Sequence, residues 1–160
     1  NMGLELALKD QGILFERSKV GDRHVLEMLR EHEGNLGGET SGHMLCMDHA
    51  ETGDGLITAL QILSVMTRTG KSLKELTKNF KKFPQITENI DLNDKSKFKD
   101  SPEIDTAVKD TEKQLIGNGR VILRPSGTES LIRITVEGED LNNVVEQTSV
   151  LVKKVSAIIN

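Results

Sequence analysis

The sequence has 160 residues, of which 36% are hydrophobic and 29% charged, and its formal net charge is −4 at pH 7. This length suits one domain or two small domains of ordinary globular composition. The acidic balance argues against a nucleic-acid-binding protein, which usually presents a basic face. The sequence contains neither an apolar run of the roughly 18 residues that a membrane span needs nor a signal-peptide pattern. The single cysteine, Cys46, excludes an internal disulfide and predicts a cytoplasmic protein.

Helices and strands alternate in the first half of the sequence. Asn1-Met2-Gly3 runs directly into an apolar helical pattern, so the chain reads as a fragment whose preceding strand is missing. The first predicted elements are a helix over 3–11 closed by Gly12 in a left-handed cap, a strand over 13–20 and a helix over 22–32 capped by Asp22. An apolar strand over 44–47, a buried helix over 56–69 and a helix over 73–79 capped by Ser72 follow. This order predicts a partial α/β domain over 1–82, with a parallel or mixed sheet and helices on both faces.

The second half has a different order, and we place the domain boundary near Phe83. The predicted elements over 83–160 are a strand at 85–90, a helix beginning at Ser101-Pro102, strands at 120–123 and 131–137 after a Gly117-Asn118-Gly119 turn, and a long helix capped by Asp140. Strand, helix, strand, strand, helix predicts a small α+β domain. It should have an antiparallel sheet and two helices on one face. In the strand at 131–137, Ile132, Ile134 and Val136 alternate with Arg133, Thr135 and Glu137, which predicts a half-buried strand.

The segment RPSGTE, residues 124–129, lies between the last two predicted strands. It offers an arginine, two hydroxyl groups and the backbone N–H groups around a glycine. Successive N–H groups of a turn can form an anion-binding concavity, and a guanidinium group can bind two phosphate oxygens at once. Arg133 could add a further positive charge. A phosphate site is therefore one interpretation, and an ordinary polar hairpin turn is the other.

A second candidate site lies in GETSGH, residues 38–43. Glu39, Ser41 and His43 alternate along it, and in an extended segment alternate side chains face the same side. A carboxylate, a hydroxyl and an imidazole on one side could hold vicinal sugar hydroxyls. Gly21 and Asp22 lie in a further loop, for which a plain helix cap is the alternative interpretation.

These motifs resemble those of one known family. RPSGTES followed by LIRITVEGED closely resembles the phosphate-binding loop of the α-D-phosphohexomutase superfamily, and GETSGH resembles the sugar-binding loop of the same superfamily. The strings KVGDR, LGGE and TGDG look most like a bacterial branch that acts on hexosamine phosphates. Ser130 departs from the proline that usually follows the phosphate loop.

The resemblance implies a role for each matching residue. It makes residues 1–82 the C-terminal part of the family's third domain and residues 83–160 its fourth domain. His43 would take part in proton transfer or, alternatively, would only orient its loop. The implied sugar-binding residues are Glu39, Ser41, Gly21 and Asp22, and the implied phosphate-binding residues are Arg124, Ser126, Gly127, Thr128 and Arg133.

The resemblance also implies what lies outside this chain. The family uses a phosphoserine in a TASHNP-like loop and Mg²⁺ held by DGDxDR, and neither string occurs here. Cofactors would thus be Mg²⁺ bound elsewhere in the full-length enzyme, and glucose or glucosamine 1,6-bisphosphate as activator or intermediate. The chain alone should bind a hexosamine phosphate without turnover.

The expected partners are this substrate and the N-terminal domains of the same protein, with neither nucleic acid nor a membrane. Self-association through the exposed sheet edge at 13–20 is a further expectation. The alternatives are a phosphomannomutase or phosphoglucomutase of the same superfamily and a non-catalytic sugar-phosphate-binding module.

Overall fold

The computed structural model describes residues 1–92, 98, 101–126 and 129–159. The chain divides into two compact units, one formed by Asn1–Ala7 together with Lys81–Asn160 and the other by Leu8–Phe80. The division into domains at residue 83 stays a prediction. In chain order the elements are α1 (Met2–Asp10), α2 (Asp22–Glu31), β1 (Leu36–Gly38), β2 (Met44–Cys46), α3 (Gly55–Thr69), α4 (Leu73–Thr77), β3 (Gln85–Asp91), α5 (Pro102–Gln114), β4 (Arg120–Pro125), β5 (Leu131–Glu137) and α6 (Leu141–Ile159).

The small core of the Leu8–Phe80 unit lies where α2 packs on the β1–β2 hairpin. Val25 and Leu29 of α2 are buried there with Leu45 of β2. The helix approaches the sheet closely because Gly37 has no side chain. A Cβ atom at Gly37 would lie 2.6 Å from Val25 Cγ1 and 2.8 Å from Leu29 Cδ1, so a larger residue would push α2 away from the hairpin.

The strands of this unit pair differently from the sequence prediction. β1 and β2 are antiparallel, with Gly38 opposite Met44, rather than part of a parallel or mixed sheet. The connection between them is too short for the crossover that parallel strands require. The strand predicted over 13–20 is wrong, since the described residues contain no strand there. A strand needs a neighbour for its backbone hydrogen bonds, and none lies against this segment in the sheets described.

Helix α3 forms where the sequence predicts it, but its predicted burial is wrong. Asp54 caps it by accepting hydrogen bonds from the backbone N–H groups of Leu56 and Ile57, and Gly70 ends it in the left-handed conformation. Leu56 and Leu60 are nevertheless 65% and 59% exposed. The apolar stripe indicates a packing surface, but no described element covers it.

Helix α4 begins at the predicted cap. The Ser72 hydroxyl accepts from the Glu75 backbone N–H, and the Glu75 carboxylate accepts in return from the Ser72 backbone N–H, which completes a capping box. The hydrogen bond from the Ser72 hydroxyl and that from the Ser72 backbone lower the pKa of the exposed Glu75 carboxyl. The helix ends at Thr77, two residues before the predicted end.

The other unit has the predicted antiparallel sheet with both long helices on one face. Its strand order is β3-β5-β4, with β5 in the centre. Ile132, Ile134 and Val136 of β5 are fully buried and share one core with residues of α5 and α6. The predicted caps are also confirmed, because Ser101 accepts from the Ile104 N–H and Asp140 accepts from the Asn143 N–H.

The opposite face of this sheet is more buried at one end than the sequence predicts. Glu137, expected on the solvated side of β5, is 0% exposed. Its Oε2 accepts a hydrogen bond from Arg120 Nε at 2.8 Å, and its Oε1 accepts from the Met2 backbone N–H at 2.5 Å. The beginning of α1 therefore covers this end of the sheet. A carboxylate at a helix N-terminus is also electrostatically favourable.

Residues within the described ranges form no helix that is both long and apolar enough to cross a membrane.

Candidate functional site

A row of polar side chains crosses the sheet of the second unit at the end next to the RPSGTE loop. Arg124 of β4 lies directly opposite Arg133 of β5, and Asn89 of β3 lies opposite Arg133 on its other side. Directly opposed residues share a face of the sheet. Because the neighbouring Ile132 and Ile134 point into the helical core, the row faces away from both helices.

This row of Arg124, Arg133 and Asn89, called the arginine row below, concentrates positive charge. Directly opposed like charges on neighbouring strands destabilise a sheet. Arg133 Nε donates to Asn89 Oδ1 at 3.3 Å, and Arg133 Nη2 lies 3.9 Å from Glu129 Oε2. Arg124 is half-buried, and no carboxylate within the described ranges forms an ion pair with it. A bound anion would offset the repulsion and accept hydrogen bonds from both guanidinium groups.

The described part of the adjoining loop is held by its own hydrogen bonds. The Ser126 backbone N–H donates to Leu131 O at 2.8 Å, and Ser126 Oγ accepts from the Glu129 backbone N–H at 3.3 Å. The Ser126 N–H is therefore already used and is not one of the donors available to an anion. Gly127 and Thr128, both predicted phosphate ligands, lie outside the described residues.

The GETSGH segment of the first unit is a tight turn rather than an extended segment. The Gly42 N–H donates to Glu39 O at 3.0 Å, and the Glu39 N–H donates to His43 O at 2.9 Å. Gly42 has a φ of +94°, a conformation that favours glycine. The prediction of an extended segment is therefore wrong, and alternation no longer supports placing Glu39, Ser41 and His43 on one side. Because Gly38 pairs with Met44, the residues between them must reverse the chain direction.

The two predicted sugar loops nevertheless meet within this unit. Glu39 Oε1 accepts a hydrogen bond from the Gly21 backbone N–H at 3.1 Å. His43 Nε2 lies 3.7 Å from Asp22 Oδ2, and both side chains are partly exposed. Ser41 is exposed in the turn. One oxygen of the Glu39 carboxylate is thus held by the Gly21 loop.

Asp22 has a different role from the predicted helix cap. Gly21 is the N-cap of α2 and, having no side chain, makes no side-chain cap hydrogen bond. Its carbonyl oxygen accepts from the His24 and Val25 N–H groups. Asp22 Oδ1 instead accepts from the Arg23 N–H at 2.7 Å, and Oδ2 is the oxygen that faces His43. The helix start thus orients the Asp22 carboxylate toward the GETSGH turn.

Asn89 lies in the same row as Arg124 and Arg133, but it was not predicted from the sequence. Asn89 lies in a polar stretch without a recognisable motif. Only the register of β3 on β5 brings it against Arg133, and alternation within a single strand does not fix that register. A strand-pairing prediction could have found it.

The described ranges contain no group of three or more His, Cys, Asp or Glu residues that could hold a metal ion. The Mg²⁺ site implied by the family resemblance is expected outside this chain. Oxygen-rich sites with carboxylate ligands are what Mg²⁺ requires.

Comparison with known proteins identifies the two halves of the chain. Residues 1–83 match the family model for phosphoglucomutase/phosphomannomutase, alpha/beta/alpha domain III, and residues 88–149 match that for the C-terminal domain of the same family. Phosphoglucosamine mutase of Legionella pneumophila (strain Lens) is 49% identical over 158 residues, which cover 99% of this chain and 35% of that protein. The chain thus spans about a third of the length of this relative.

Solved structures agree with the fold. A structure of Aspergillus fumigatus N-acetylphosphoglucosamine mutase aligns with a TM-score of 0.82 at 15% identity, over 97% of this chain and 36% of that one. A structure of the same fungal enzyme with GlcNAc-6P and magnesium aligns with a TM-score of 0.73 at 16% identity, over 98% of this chain and 37% of that one. The predicted class, an α/β domain followed by a small α+β domain, is confirmed. The chain belongs to the phosphoglucomutase/phosphomannomutase family, as the sequence resemblance predicted.

Proposed function

We propose that this chain is the ligand-binding C-terminal part of a bacterial phosphoglucosamine mutase, which interconverts glucosamine 6-phosphate and glucosamine 1-phosphate in the cytoplasm. The product would serve cell-wall precursor synthesis. The observation that carries the proposal is the opposed pair of Arg124 and Arg133 on the sheet face away from the helices. The 49% sequence identity to the phosphoglucosamine mutase of Legionella pneumophila supports an amino sugar phosphate as the substrate.

The proposed binding roles follow the two clusters. Arg124 and Arg133, with Ser126, Gly127 and Thr128 of the loop, would hold the phosphate that is not being transferred. Charge-assisted hydrogen bonds from guanidinium groups suit this task because they are short and strong. In the other unit, the Glu39 carboxylate would accept hydrogen bonds from sugar hydroxyls. Ser41 and Asp22 would add further polar contacts.

The proposed chemistry combines binding here with groups elsewhere in the complete protein. The phosphoserine and Mg²⁺ outside this chain would supply the transferable phosphoryl group and neutralise its charge. Residues of this chain would orient the sugar. His43, beside the Asp22 carboxylate, would exchange a proton with the reacting hydroxyl. The chain by itself would bind ligand without turnover.

We expect the chain to bind glucosamine 6-phosphate and not glucosamine, because the phosphate supplies the charge that the arginine row accepts. Calorimetric titration of the chain with each compound measures the two affinities. The same titration of the complete protein includes the ligand contacts that lie outside this chain. Equal affinity for the two compounds in the complete protein would refute the phosphate site.

The same proposal predicts turnover of glucosamine phosphates by the complete protein. A coupled assay with glucosamine, glucose and mannose 6-phosphates compares kcat/KM for the three substrates. The highest value for glucosamine 6-phosphate is the expected result. A preference for glucose or mannose 6-phosphate would indicate a phosphoglucomutase or phosphomannomutase, and absence of turnover with preserved binding would indicate a non-catalytic binding module.

We further propose that the 160-residue chain self-associates through residues 13–20. Ile13, Leu14 and Val20 are 49%, 83% and 68% exposed, and exposed apolar surface of this kind favours association with another copy. Sedimentation velocity should show a mass that rises with concentration, and Leu14→Lys should reduce the rise. Leu141→Lys, at an exposed leucine of α6, is the control. A chain that stays monomeric at high concentration would contradict the proposal.

A further inference from the structure

Gly53, in the TGDG segment before α3, lies directly against the ring of His43. A Cβ atom at Gly53 would overlap His43 Nε2 and Cε1 and lie 2.6 Å from Cδ2. Contacts of this length do not occur between non-bonded atoms, so any side chain at residue 53 would displace the ring or the backbone. The space that the His43 ring occupies is therefore the space that a side chain at residue 53 would fill.

The backbone around Gly53 cannot move away easily. Asp54, the next residue, is the N-cap of α3, and its Oδ1 accepts from the Leu56 and Ile57 N–H groups at 2.7 and 2.9 Å. Loss of such a cap destabilises a helix. The ring of His43 is the more mobile partner, because its side chain is 37% exposed. A side chain at residue 53 would therefore turn the ring rather than shift the start of α3.

A second residue, Asp22, lies near the same end of the ring. Asp22 Oδ2 lies 3.7 Å from His43 Nε2, while Asp22 Oδ1 is held by the Arg23 N–H. The backbone of His43 is held by the hydrogen bond from the Glu39 N–H. The Nε2 end of the imidazole is thus close both to the Asp22 carboxylate and to a glycine that leaves room for the ring.

We propose that Gly53 is a positioning residue that keeps the His43 imidazole beside Asp22 and in the orientation needed for proton transfer. The inference rests on the proposed function insofar as it assigns a proton-transfer role to His43. A misplacement of about 1 Å in a reacting group can cost about 100-fold in rate. The methyl group of an alanine at residue 53 is large enough to cause such a displacement.

The test compares Gly53→Ala with Gly55→Ala in the complete protein. Gly55 is the matched control, because a Cβ atom there has no neighbour within 4 Å and Gly55 is the first residue of α3. We expect Gly53→Ala to lower kcat by about 10- to 100-fold with little change in KM, and to shift the NMR signals of the His43 ring. Gly55→Ala should change neither. Unchanged kcat and unchanged ring signals in Gly53→Ala would overturn the inference.

A double-mutant cycle separates an effect through His43 from general damage. In a His43→Ala background the ring is gone, so the added methyl group of Gly53→Ala should cause no further loss of kcat or of thermal unfolding temperature. Equal losses in both backgrounds would overturn the inference. If the complete wild-type protein shows no mutase turnover, the proposed function fails. In that case, the NMR signals of the His43 ring and the double-mutant cycle measured by unfolding temperature still decide whether Gly53 positions His43.

Discussion

Arg124→Ala is expected to weaken the binding of glucosamine 6-phosphate by the complete protein by about 30-fold or more. Arg124 is half-buried, lies opposite Arg133 and has no ion pair within the described ranges, so a ligand phosphate would be its main partner. Truncating one member of a hydrogen-bonded charge pair costs about 2–5 kcal/mol, and about 2 kcal/mol already corresponds to about 30-fold in Kd. Calorimetric titration measures the change.

Two further variants make this result specific. Arg124→Lys keeps the charge but loses the planar pair of donors, so its Kd should lie between those of the wild type and Arg124→Ala. Lys109→Ala removes one positive charge from α5, a helix on the face of the sheet opposite to the arginine row, and should change Kd by less than about twofold because exposed charges are screened. An unchanged Kd in Arg124→Ala would mean that the phosphate binds elsewhere.

The stability of the protein without ligand provides an independent check. A structural arginine would stabilise the fold, and its removal would lower the unfolding temperature. Arg124 instead faces a like charge across the strands, an unfavourable arrangement. We therefore expect the ligand-free Arg124→Ala variant to unfold at the same temperature as the wild type or at a higher one, while losing the stabilisation that added ligand provides.

Local signals explain why much of the fold could be predicted from the sequence. Ser101-Pro102, Gly117-Asn118-Gly119 and Asp140 each act on their immediate neighbours, and the elements that they bound occur as predicted. The same holds for the helical period of α6 and for the core-facing residues Ile132, Ile134 and Val136 of β5. Motif matching likewise identified the arginines, because a turn and its flanking strands are continuous in sequence.

The remaining features depend on contacts between segments distant in sequence. Glu137 is buried because the Met2 N–H and Arg120 lie against it, and strand alternation alone predicted exposure. Residues 13–20 have a strand-like composition but lack a partner strand among the described residues. The GETSGH segment was predicted as extended because alternation was applied without the pairing of Gly38 with Met44. In each case the missing information was a pairing register or a covering segment.

Glu137→Leu is expected to lower the free energy of unfolding of this unit by about 3–5 kcal/mol, the usual cost of breaking a buried ion pair by removing one partner. Arg120 would keep its charge with a side chain only 22% exposed. The Met2 N–H would also lose the hydrogen bond to the Glu137 carboxylate, and loss of a hydrogen bond adds to the cost. Urea unfolding followed by circular dichroism measures the change.

Glu139→Gln is the matched control for this substitution. Glu139 also pairs with a basic residue, Lys81, at 2.7 Å, but both side chains are largely exposed. The hydrogen bond from Lys81 lowers the pKa of Glu139, so this pair contributes at neutral pH and its contribution is lost as the pH falls through the lowered pKa. Exposed ion pairs contribute little to stability because solvent screens them, so Glu139→Gln should have a small effect.

Replacing both members of the buried pair distinguishes an uncompensated charge from poor packing. In Arg120→Met with Glu137→Leu no charge remains, and apolar replacements of buried ion pairs are often neutral or stabilising. We expect this double variant to recover most of the stability lost in Glu137→Leu, apart from the share due to the Met2 N–H. If Glu137→Leu and Glu139→Gln had equally small effects, Glu137 would not hold the start of α1 on the sheet. If the double variant were as unstable as Glu137→Leu, loss of packing rather than the unpaired arginine would be the cause.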